Sequence, residues 1–274
     1  MQVIVETPRS LSSAVRSGWR IVKGAPGVYL VIALSSVVMV GLTMLLLGVI
    51  TRGFPVVNAI ASLGVNVWGG VLAMGVFRAL ARGQSGQRPS FDDLFWAMSR
   101  ASLWFLPFVI YLVFMLPAFL VAALGGHTPF FFNPALRPPQ VRHMNPAVIA
   151  GFIVWALLFA TVTNFTYAIV ARYEVGPGAA LRAFLRIFSP GRRRWLALVP
   201  YLVLLLVGVS ILAAAAAGLA VAGFHLLLPH LTMHARVVMI LLAALALLPA
   251  GLLFLLATLV LQATFVAASA NLWE

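Results

Sequence analysis

Six apolar stretches organise this chain: 27–50, 56–81, 101–124, 147–171, 195–223 and 237–266. Each exceeds the roughly 20 helical residues that cross the hydrocarbon of a bilayer. Only 8% of the 274 residues are charged, against about 25% in soluble domains. So few charges cannot clothe a water-soluble body of this size. The predicted fold is therefore all-α and polytopic, one integral membrane domain over 1–274 with six transmembrane helices. Pro107, Pro117, Pro200 and Pro249 fall inside spans. Neighbouring helices of a bundle can satisfy the carbonyls that such prolines free. Residues 1–26 hold five charges and no continuous apolar run, so the first span is expected to act as the insertion signal.

Charge placement sets the orientation. The connections after spans 1, 3 and 5 contain only Arg52, Arg137, Arg142 and Arg236. The other 14 of the 18 basic residues lie in the N-terminal segment, around 78–100 and within 172–194. Positive charge is retained in the cytoplasm during insertion. Both termini are thus expected to be cytoplasmic. All five carboxylates (Glu6, Asp92, Asp93, Glu174, Glu274) share the basic side, and all five histidines share the other. There is no cysteine, which removes disulfides, thiolate ligands and thiol nucleophiles.

The basic side carries three stretches of one type: "SLSSAVRSGWR" from Ser10, "SFDDLFWAMSR" from Ser90 and "GPGAALRAFLR" from Gly176. Each leads into an outward span followed by a returning one. The expected architecture is three repeats of an amphipathic interfacial helix (about 10–23, 90–100 and 177–189) plus a helical hairpin. Ser10 and Ser90 suit helix N-caps, and Asp92 and Asp93 suit the positive end of a helix dipole. Leu181, Phe184, Leu185 and Phe188 follow the i, i+3, i+4, i+7 spacing of one helix face, with Arg182 and Arg186 opposite. Such a helix lies with its apolar side toward acyl chains and its arginines toward phosphates. Trp104 and Trp195 stand where aromatic rings anchor at headgroups. Nucleic acid is the weaker reading of these arginines, because no nucleic-acid module surrounds them.

Two stretches, "GGVLAMGVFRALARGQSGQRPSFDDLF" (Gly69–Phe95) and "ARYEVGPGAALRAFLRIF" (Ala171–Phe188), resemble the exits of spans 2 and 4 in a loose group of bacterial six-span membrane proteins. That group includes the YciC-like proteins and the membrane domain attached to some glycerophosphodiester phosphodiesterases. The resemblance implies a six-span inner-membrane layout and supplies no catalytic residues.

Candidate sites follow from residue type and place. Arg16, Arg20, Arg182, Arg186, Arg192, Arg193 and Arg194 are the expected contacts to anionic lipid headgroups, each attracted by about 1 kcal/mol near a charged surface. Asn58, Ser62, Asn66, Asn164 and Gln262 form a possible intramembrane polar cluster, read chiefly as hydrogen-bonding glue between helices and otherwise as the lining of a polar path. His230 and His234 would share a helix face, but no carboxylate lies on their side to orient them, so no metal site is expected. No span core holds an acid or a lysine, and "RGQSGQRP" (Arg82–Pro89) lacks the lysine and spacing of a phosphate-binding P-loop. The expected function is a non-enzymatic scaffold or accessory subunit without cofactors. Its partners would be anionic lipid and a further protein or a second copy. The alternative is a transporter permease working with a separate ATPase.

Overall fold

A computed structural model describes residues 8–51, 54–125, 146–198, 207 and 233–273. Among these the chain is all-helical. The α-helices are α1 (Leu11–Gly24), α2 (Pro26–Ile50), α3 (Pro55–Gln84), α4 (Ala101–Gly125), α5 (Pro146–Tyr173), α6 (Pro177–Leu185) and α7 (Met233–Trp273). Segments Pro26–Ile50, Ile60–Gln84 and Gly251–Trp273 are long and apolar enough to cross a membrane. The helices α4 and α5 occupy the predicted third and fourth spans. Nearly all of the predicted fifth span, 195–223, lies outside the described residues.

Local chemistry sets the ends of α1 to α3. Ser10 opens α1 with a reciprocal capping box: Ser13 N donates to Ser10 Oγ (3.2 Å) and Ser10 N to Ser13 Oγ (3.0 Å). Pro26 and Pro55 begin α2 and α3, positions where a missing N–H costs nothing and φ is already helical. The joint between α2 and α3 is tied by Thr51 Oγ1, which donates to Asn58 Oδ1 (3.0 Å).

The amphipathic stretch predicted at 90–100 departs from an α-helix. It is a 3-10 turn, Phe91–Phe95, followed by turns up to α4. Its bonds run i to i−3, from Asp93 N to Ser90 O, Trp96 N to Asp93 O and Met98 N to Phe95 O. Packing against α3 explains the tighter winding. Gly75 lets the Leu94 backbone lie directly on α3, where any Cβ would collide with the Leu94 carbonyl. At three residues per turn, Leu94 and Ala97 align and are both fully buried. Ser90 N donates to Asp93 Oδ2 (2.8 Å), so the Asp93 carboxylate ties the start of this turn.

The core lies at the basic end. There α1, α3, α5 and α6 close around the last third of α7, in which Ala263, Phe265, Val266, Ala267, Ala268 and Ala270 are fully or almost fully buried. Phe165 of α5 meets Phe265 edge-on with ring centroids 4.8 Å apart. Gly18 of α1 brings two backbones together. A Cβ there would stand 2.6 Å from Thr264 Oγ1 and 2.9 Å from Val260 O. Trp195, read from sequence as a headgroup anchor, is fully buried in this core.

Candidate functional site

The arginines of the basic end divide into two groups. On the outside, Arg16 and Arg20 of α1 are exposed and flank Trp19, which is 49% exposed. Arg182 of α6 is exposed beside Leu181 and Leu185, and Phe188 follows in a 3-10 turn, Arg186–Phe188. The apolar face read as one surface is therefore split. Phe184 joins Ala180, Ala183 and Ile187 against the bundle, while Leu181, Leu185 and Phe188 face outward. The buried face of α1 (Ala14, Gly18, Ile21, Val22) likewise packs mainly on α7.

Arg186 and Arg192 instead reach the end of α7. Arg186 Nη1 donates to Trp273 O (2.6 Å) and Arg192 Nη1 to Leu272 O (3.4 Å). The last carbonyls of a helix have no intrahelical donor and carry the negative end of its dipole, so guanidinium groups satisfy both needs. Arg193 Nε donates to Phe188 O (3.2 Å). The side chain of Arg194 lies outside the described residues.

A second basic centre sits where α3, the 91–95 turn and α5 meet. Glu174 binds Arg78 through Oε1 and Arg100 through Oε2 (2.8 Å). Arg78 also donates from Nη1 to Ala171 O (2.9 Å), closing the C-terminal turn of α5. Both guanidiniums lie over the Trp96 ring, Arg78 at 5.1 Å and Arg100 at 4.5 Å from its centroid. The negative ring face and the shared carboxylate offset the repulsion between two like charges. One turn along α3, Arg82 Nη1 donates to Asp93 Oδ1 (2.9 Å), and Asp93 is buried. Arg172 Nη1 reaches Val266 O of α7 (3.0 Å).

Glu174 has φ +52°, the one non-glycine residue with positive φ among those described. A side chain in that region costs about 1–2 kcal/mol, and glycine is the usual occupant just past a helix end. Retaining Glu there keeps the carboxylate between Arg78 and Arg100. The hydrogen bond from Arg100, with Arg78 beside it, holds the Glu174 carboxyl below the usual carboxylate range despite its partial burial.

A cavity of about 430 Å³ opens against this centre, lined by Arg78, Arg82, Gln84, Ser85, Arg172 and Glu174 among others. Sequence reading placed these arginines on the cytoplasmic side without assigning them a role. The available signal was scarcity. With five carboxylates and 18 basic residues, each acid on that side has cations to gather.

Among the described residues, two of the intramembrane amides bond within their own helices. Asn66 Nδ2 donates to Ser62 O (2.7 Å) and Asn164 Nδ2 to Ala160 O (2.7 Å), each within its own helix. An amide four residues past a free lone pair finds that acceptor without a partner helix. Gln262 is half-buried on α7. His230 lies outside the described residues, and His234 stands in the first turn of α7. The chain matches no protein-family model, no curated protein and no solved structure.

Proposed function

We propose that this chain is a non-enzymatic integral protein of the bacterial inner membrane. It crosses six times in three related units, keeps both termini in the cytoplasm and serves as a scaffold or accessory subunit that grips anionic lipid. One observation carries the reading. Exposed arginines sit beside exposed aromatic or aliphatic side chains on two separate elements, Arg16 and Arg20 with Trp19, and Arg182 with Leu181 and Leu185. That pairing suits a headgroup layer, where rings and methyls enter the acyl boundary and guanidiniums meet phosphates.

Arg186 and Arg192 are poor probes of this role because they also hold the end of α7. The test is Arg16→Glu, Arg20→Glu and Arg182→Glu together. At about 1 kcal/mol per basic residue, the triple variant should lose anionic lipid retained through purification while its melting temperature stays near the parent's. Undiminished retention would refute the lipid-gripping role. Reporter fusions at Arg137 and Glu274 test orientation, and an extracellular C-terminus would overturn it. The permease alternative ranks second. It calls for a polar path past Asn66, Asn164 and Gln262, whereas Asn66 and Asn164 spend their amides on their own helices. A co-purifying ATPase would reverse that order.

A further inference from the structure

The cavity between the ends of α3 and α5 asks for a ligand that the headgroup-facing arginines do not explain. Three guanidiniums, from Arg78, Arg82 and Arg172, line it together with the Glu174 carboxylate, and Arg82 also holds Asp93. Two of its polar groups are left over. Among the described residues, Arg78 Nε is buried without an acceptor and Gln84 Oε1 is buried without a donor. Gln84 is only 5% exposed and stands in the lining of the cavity. Leaving a buried polar group without a partner is costly, and a buried charge more so. The strained backbone at Glu174 belongs to the same wall, and such strain concentrates at ligand sites.

These features select a ligand class. Clustered guanidiniums are the usual partners of phosphoryl oxygens, which they meet with paired N–H groups. The space of about 430 Å³ falls in the range of small-molecule sites and exceeds what a bare phosphate fills. An amide oxygen and a carboxylate beside the cations suit a hydroxyl or amine on the esterifying group.

We propose that this cavity binds a phosphate ester, its phosphoryl oxygens on Arg78, Arg82 and Arg172 and a hydroxyl or amine of its alcohol part on Gln84. The ester is either the headgroup of a phospholipid entering from the membrane or a soluble compound entering from the aqueous side. Only the lipid source rests on the membrane reading above.

The test uses the full chain in nanodiscs of phosphatidylcholine, and separately in nanodiscs containing phosphatidylglycerol, with thermal unfolding as readout. Inorganic phosphate and phosphoethanolamine are titrated into the first. A saturable rise in melting temperature there assigns a soluble ester, with phosphoethanolamine binding more tightly than phosphate. A rise confined to phosphatidylglycerol assigns a lipid headgroup. In either case Arg78→Lys, which keeps the charge and loses the fork, and Gln84→Met, which keeps the volume and loses the amide, should each weaken the effect roughly tenfold. Without ligand, Gln84→Met should be at least as stable as the parent, because it removes a buried acceptor that has no donor. The proposal is overturned if no probe shifts the melting temperature, if the shift survives both variants, or if Gln84→Met alone unfolds the ligand-free chain. Lipid retention sensitive to Arg16, Arg20 and Arg182 but indifferent to Arg78 and Gln84 would sink the cavity proposal and leave the lipid-gripping role standing.

Discussion

The helix α2 and the last part of α7 have nearly the same length and apolar character, yet their surroundings are opposite. Within Pro26–Ile50, 11% of the best apolar window is buried in the protein, against 44% within Gly251–Trp273. On α2, large side chains such as Leu42, Leu45, Leu46, Val49 and Ile50 stand outward. On α7, the run Ala267–Ser269–Ala270 and its neighbours are small and enclosed. Dispersion and close backbone approach, rather than hydropathy, hold helices together when the surrounding solvent is itself hydrocarbon. Apolarity therefore says that a segment leaves water, and side-chain size says whether it leaves for lipid or for protein.

The sharpest way to break this contrast is to add volume at matched glycines. Gly18→Leu should force α1 off Thr264 and Val260 of α7 and cost about 3 kcal/mol. Gly41→Leu on α2, where an added Cβ meets nothing within 4 Å, should change stability by about 0.5 kcal/mol or less. Equal effects in detergent unfolding would erase the distinction between the two helices.

The next largest effect lies at the loop that closes α5 beside α7. Glu174→Ala loses both arginine contacts and keeps the strained φ, whereas Glu174→Gly loses the contacts and releases about 1 kcal/mol of strain. The glycine variant should thus be the more stable of the two in chemical denaturation. The parent should also lose stability on acidification. The Glu174 carboxyl is held below its unfolded value, so its contribution is complete above about pH 4.3 and fades as pH falls through the lowered value. Glu174→Gln should flatten that part of the pH–stability curve, and an unchanged profile would remove the carboxylate from the account.

The smallest effect on the folded state is expected on the outward face of α2. Leu45→Asn should leave unfolding of the purified chain within about 0.5 kcal/mol of the parent while lowering the fraction inserted into membranes, measured by glycosylation or protease mapping. A large loss of folded stability would mean that α2 is held by protein contacts after all.

Much of this was legible in the sequence because membrane length and helix caps are local. The starts of α1, α2 and α3 follow from Ser10, Pro26 and Pro55, and the long helices lie where apolar stretches predict them. Non-local partners were not legible. Nothing near Glu174 announces that its carboxylate will meet Arg78 and Arg100, each more than 70 residues away. Phe184 and Leu185 look equivalent by spacing, yet one fills the core and the other faces outward. Asn66 and Asn164 were read as bridges between helices, yet each amide donates to the i−4 carbonyl of its own helix, which has a second lone pair to offer. The 3-10 winding at 91–95 depended on Gly75 of another helix.

The 41 residues of α7 extend about 60 Å at helical rise, twice the hydrocarbon thickness, and its buried end sits in a collar built from the beginning and middle of the chain. Asn271 Nδ2 there donates to Pro8 O (3.1 Å), joining the last turn of α7 to the segment that leads into α1. A ribosome delivers α1 long before α7. Until α7 is released, the inner face of α1 lacks the surface it was shaped for, and the collar can close only after α7 has been made.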